Sequence, residues 1–178
     1  MQLIYPSTLK EIRFNLYTII AYLKFLVKST NEHGVHSPFV FDFVTKGLYQ
    51  KKKIKTLFDK YAALKTLSKK EKKVLSKILN YFKIHTINFD VSNFSKATKK
   101  EYKILYINNL NSFSKINLEK LNSKHIILVD GIYANKQSYL TWQKVIQNKE
   151  ITVSINLFYF GLVFFRKEQA KEHFKIRV

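Results

Sequence analysis

Apolar residues recur at helical spacing through the first half of the chain and at strand spacing through the second. Leu9, Ile12, Leu16, Ile19, Leu23 and Leu26 alternate steps of three and four, which predicts one face of a helix over about 8–29. Pro6-Ser7 supplies its start signal, and Asn31 to His36 breaks the pattern. Ser37-Pro38 then reads as N-cap and first position of a second helix, with Val40, Phe43, Val44 and Leu48 on one side. Spacing resumes at Ile54, Leu57, Phe58, Tyr61 and Leu64. Ser68 and Glu71 form a capping box ahead of a helix that turns Val74, Leu75, Ile78, Leu79 and Phe82 inward.

From residue 84 the period shortens. Ile84 to Val91 and Tyr102 to Ile107 are β-prone runs. His125 to Asp130 is nearly continuous in apolar residues, as in a strand buried on both faces. A helix is predicted over about 136–147, with Asn135 as its cap. Ile151–Phe158 and Tyr159–Arg166, joined by a tight turn, should pair antiparallel. The tail from Glu168 to Phe174 suggests one or two helical turns. The expected fold is α/β: a helical region over 1–83 and an α/β region over 84–178, in one compact unit. About five strands are expected, the last two antiparallel.

Composition narrows the chemistry. The 178 residues are 46% apolar and 15% aromatic, enough for a core and incompatible with disorder. With no cysteine, a disulfide scaffold, thiolate metal sites and thiol catalysis are excluded. The four glycines, Gly34, Gly47, Gly131 and Gly161, are too scattered for a glycine-rich phosphate cradle. The histidines show no metal-binding spacing, so no metal is expected. No nucleophile elbow surrounds Ser37, which argues against a serine hydrolase. The apolar runs are too short to span a bilayer, which points to a cytoplasmic protein without a transmembrane segment.

The net charge is +20, concentrated between residues 46 and 83, where Asp59 and Glu71 are the only acids. Two readings stay open. Lys51, Lys52, Lys53, Lys69, Lys70, Lys72 and Lys73 would suit a polyanion such as RNA. Alternatively, lysine simply fills solvated faces in a chain whose Ile, Asn, Phe and Tyr share its AT-rich codons. Only Arg13, Arg166 and Arg177 carry the planar fork that phosphate and base readout favour.

Two blocks carry a family resemblance. His33-Gly-Val-His36-Ser-Pro-Phe-Val-Phe41 resembles the N-terminal signature of a group of class I S-adenosylmethionine-dependent methyltransferases from Bacteroidetes-type bacteria. Asn156-Leu-Phe158 and Gly161 through Phe174 resemble the C-terminal block of the same group, and Trp142 sits where the family carries a tryptophan. The resemblance covers about two thirds of the chain. It implies a Rossmann-like sheet, S-adenosylmethionine as cofactor and a methyl acceptor of unknown identity. It maps cofactor contacts onto Asp90, Ser92 and Asn108.

The departures fall on those motifs. Residues 87–95, which replace the family's glycine-rich turn, contain no glycine. Ile107 to Asn111 and Asp130 to Ala134 keep only Asp130 of the expected acids. Residues 84–178 are also too few for a seven-stranded sheet with helices on both faces, which needs on the order of 150 residues. The expectation is a methyltransferase-like protein with a degraded cofactor loop, weakly active or inactive. The alternative is an RNA-binding module.

Three residues remain as catalytic candidates. Asp130 ends a buried strand, where α/β folds place ligands, or it is an exposed turn aspartate before Gly131. His33 and His36 offer proton transfer near neutrality, or they are part of a helix-entry motif.

Overall fold

The computed structural model describes residues 16–51, 58–92, 94 and 100–178. The expectations at Ser7, Leu9, Ile12, Lys52, Lys53, Ile54 and Leu57 lie outside those residues. Among the described residues six strands form one sheet: β1 Ile87–Asn88, β2 Lys103–Ile107, β3 His125–Asp130, β4 Val153–Asn156, β5 Phe160–Phe164 and β6 Glu172–Lys175. Their order is β1-β2-β3-β5-β4-β6. β1, β2 and β3 are mutually parallel, β5 runs against both β3 and β4, and β6 returns parallel to β4. Five strands therefore point the same way, and β5 alone is reversed. The expected Rossmann-like α/β class is present, with six strands rather than five.

The sixth strand corrects the helical reading of the tail. Glu168 to Phe174 supplies β6, because the buried edge of β4 offers a backbone ladder from Val153 to Asn156 that a local helix would leave unpaired. The antiparallel pairing of β4 with β5 is as expected, but the last strand in the chain is β6, which pairs parallel. The predicted strand over 84–91 is only two residues long at the sheet edge.

Helices cover both faces. On one side α2 Pro38–Phe43 and α4 Lys69–Tyr81 pack with Ile104, Tyr106, Ile126 and Leu128 in a single cluster. On the other, α1 Leu16–Lys28 and α5 Lys136–Ile146 pack on Leu105, Ile107, Ile127 and Val129. Neighbouring residues of β2 and β3 thus feed opposite layers, as the pleat requires. A short helix, α3 Ala62–Lys65, precedes α4.

The helix starts follow their sequence signals. The Ser37 hydroxyl accepts from the Val40 amide at α2, Ser68 and Glu71 form the capping box of α4, and Asn135 caps α5 through the Ser138 amide. The facing of α1 differs from its predicted stripe. Ala21 and Phe25 are buried, whereas Leu16, Ile19 and Leu23 face outward. Both sides of this helix are apolar, so spacing alone could not choose between them. The aromatic side wins because Phe25 packs against Phe158 at 5.5 Å and Tyr22 meets the same ring at 4.8 Å. Among the described residues no helix is long and apolar enough to cross a membrane.

Candidate functional site

All five parallel strands end on one edge of the sheet, and in open α/β sheets that edge is where ligands bind. Phe89 and Asp90 follow β1, Asn108 follows β2, Asp130 closes β3 and Asn156 closes β4. Asp130 is buried, which corrects the reading of it as an exposed turn residue. The Tyr106 hydroxyl donates to its Oδ2 at 2.9 Å. Burial first, then the Asp130 carboxylate, pushes the Tyr106 phenol far above the ordinary tyrosine range, so it stays protonated and donates.

Tyr106 also meets Phe89, with ring centroids 5.5 Å apart, and Phe89 meets Tyr61 at 5.3 Å. These rings, with Lys60 and Asn108, line a cleft of about 440 Å³. Its position owes something to Tyr61, whose hydroxyl accepts the Ile87 amide at 3.1 Å and fixes the segment before α3 against β1. A larger cleft of about 630 Å³ lies between residues 110–119 and α5 and holds none of the candidate residues.

Asp90 and Ser92 form a turn of their own. Asp90 Oδ1 accepts from both the amide and the hydroxyl of Ser92, at 2.8 and 2.7 Å. The two expected cofactor residues are thus hydrogen-bonded to each other in a local Asx turn. Asn108 lies in the aromatic cleft, and Asp130 lies behind Tyr106. Among the described residues no acid lines the cleft. The turn after β1 carries the side chains of Val91 and Ser92.

His33 and His36 are elsewhere. Both are exposed, and His33 Nε2 lies 3.7 Å from a Glu32 carboxylate oxygen. The stretch before them bridges Thr30 to Ile176 beside β6, at the opposite end of the sheet from β1. The two sequence blocks that carry the resemblance meet here. Gln169 Nε2 donates to the buried Ser37 hydroxyl. The Arg166 guanidinium lies 4.2 Å over the Phe39 ring, and Phe39 packs edge-on against Phe164 at 5.1 Å. The helix-entry motif thus holds the first helical layer to the end of the sheet, through Ser37 and Phe39 rather than through the histidine rings.

At the β3–β4 end the edge is filled with rings. Tyr133 stacks between Tyr139 and Phe158, at 4.9 and 4.8 Å, and its hydroxyl accepts from Asn156 Nδ2 at 2.9 Å. Burial pushes the Tyr133 phenol up to about 12. Phe158 holds a left-handed φ of 68°, secured where its amide donates to Asn156 Oδ1. Sequence reasoning did not single out Tyr106. Its alternation with buried Leu105 and Ile107 was visible, but its carboxylate partner lies on another strand.

Among the lysines, Lys51, Lys69, Lys70 and Lys73 are exposed, whereas Lys72 donates to the Lys65 carbonyl at 3.2 Å. Among the described residues no group of three histidines, cysteines or acids could hold a metal ion. No family model, curated protein or solved structure matches the chain.

Proposed function

We propose that the chain is a class I methyltransferase-like protein whose cofactor site has degraded, leaving it weakly active or inactive. One observation carries this reading. At the carboxyl edge of β1 to β3, where the donor would lie, Phe89, Tyr106 and Tyr61 pack ring against ring, and Tyr106 engages Asp130. The strand order is consistent with it. Removing the second and third strands from the doubly wound order 3-2-1-4-5-6 leaves 1-4-5-6, whose first three strands form a parallel trio like β1-β2-β3. Those two strands would bring the acid that grips a ribose, and nothing in the described chain replaces it.

Methyl transfer depends on a protein that positions donor and acceptor around a cofactor-borne electrophile. A site that does not fit the donor gives no such positioning. Titration calorimetry with S-adenosylmethionine should give no saturable heat in the micromolar range. Saturable micromolar binding would overturn the proposal.

A second reading rests on Lys69, Lys70 and Lys73, exposed on one helix whose apolar residues are buried. Binding of single-stranded RNA there would weaken steeply with salt as counterions are released. Absence of binding at low salt removes this reading.

A further inference from the structure

The outward side of α1 is the largest feature left unused. Nine large hydrophobic residues are exposed among the described residues, and five of them, Leu16, Ile19, Ile20, Leu23 and Val27, lie on this helix. Leu16, Ile20, Leu23 and Val27 follow a four-three-four spacing, so they form one continuous stripe. Val27 is 87% exposed and Leu16 is 73% exposed, high values for large apolar side chains. The inward side of the same helix is fully employed against Phe158 and Tyr133. The outward stripe is therefore not needed to hold α1 in place.

Charge chooses the occupant. The helix contains no acid, and Lys24 and Lys28 flank the stripe on its exposed side. Lys175 of β6 stands close enough to Lys28 to feel its charge. A second copy of the chain would set these lysines against each other with no acid on either helix to answer them, and each copy carries +20. A polyanion without apolar surface would meet the lysines and leave the stripe in water. We propose that the outward face of α1 lies in the surface of an anionic lipid bilayer, with the aliphatic stripe among the acyl chains and Lys24 and Lys28 at the headgroups. The inward side of α1 is packed on the sheet through Phe25, so only one side of the described helix is free to meet lipid, and it lies in the plane of the interface. This inference is independent of the cofactor reading, because α1 contributes no residue to the cleft at Tyr106.

The test is flotation with vesicles of phosphatidylcholine alone and of phosphatidylcholine mixed with phosphatidylglycerol. The protein should float with the mixed vesicles and not with the neutral ones. Leu16→Glu/Leu23→Glu should weaken binding by about tenfold or more, since it removes apolar contact from the interface. Lys69→Gln/Lys70→Gln, an equal loss of two charges on α4, should change it by about twofold or less, the charges being off the docking face. Equal losses in the two variants would mean bulk charge alone, and failure of the parent protein to float would exclude lipid; either overturns the proposal. So does a dimer in sedimentation velocity that Leu23→Glu dissolves. Because the chain has no cysteine, Ile20→Cys gives a unique labelling site that does not depend on the folding of the acidic variant. A polarity-sensitive dye there should shift to the blue on mixed vesicles, and an unchanged spectrum also overturns the proposal.

Discussion

The indole of Trp142 lies directly on the backbone of Gly161. A Cβ at Gly161 would stand 2.6 Å from one ring carbon of Trp142 and 2.7 Å from the next. Trp142 is fully buried, so the ring has nowhere to withdraw. Gly161 is therefore required by close approach of helix α5 to strand β5. Gly161→Ala should destabilise the fold by about 1–3 kcal/mol, the usual range for overpacking a core. Trp142 is the only tryptophan, so its fluorescence in a urea titration reports both the lowered midpoint and the disturbed packing.

Tyr106→Phe removes the hydroxyl that donates to Asp130 while keeping the ring against Phe89. The expected loss is about 1–3 kcal/mol, because a buried carboxyl forfeits a donor that water cannot replace. Chemical denaturation checks it. A variant as stable as the parent would show that the hydroxyl contributes nothing to holding this edge of the sheet.

Lys83 offers a gain. It follows α4 with φ 54°, where the Lys83 amide bonds the Asn80 carbonyl and the Ile84 amide bonds the Leu79 carbonyl. This is a Schellman ending, a place that glycine occupies without strain. Lys83→Gly should stabilise by about 1 kcal/mol, since a side chain there works against the left-handed backbone. A raised thermal midpoint is the readout.

His125 sets an acid limit. Burial pushes its imidazole below the ordinary value of 6.5, and Nδ1 lies 3.1 Å from the Asn122 amide and 3.0 Å from Asn122 Oδ1. Below pH 6.5 the unfolded chain takes up a proton that the folded chain resists, so stability falls as pH falls. The urea midpoint should drop between about pH 7 and about pH 5, with a smaller drop in His125→Gln.

Tyr133 sets an alkaline limit with the opposite sense of titration. Its folded phenol ionises near 12 against an ordinary value of 10.0. Between those values the folded state keeps a proton that the unfolded state has lost, and stability falls as pH rises. Tyr133→Phe should flatten the denaturation midpoint across that window, although it is less stable at neutral pH for want of the Asn156 bond.

Local signals were legible in the sequence wherever one residue determined the backbone. Ser37, Ser68 and Asn135 each cap the helix that their neighbours predict, and β3 is buried along its whole length as its apolar run implies. The failures share a cause in long-range partners. Glu172 to Lys175 form a strand only because β4 is beside them, and α1 turns its aromatic side inward only because Phe158 awaits it. The site behaved likewise. Asp130 was visible as a strand-ending acid, but its burial depends on Tyr106, and nothing in the spacing links the two.

β6 has a consequence for the order in which the chain folds. The bridge from Thr30 to Ile176 and the hydrogen bond from Tyr49 to the Arg177 carbonyl join the start of the described chain to its last residues. Neither can form until nearly the whole sequence is present. Such distant closures come after the local helices and the β4–β5 hairpin, and folds rich in them are slow. Completion of the sheet by β6 would then set the pace of folding, leaving the buried edge of β4 open to other chains in the interval.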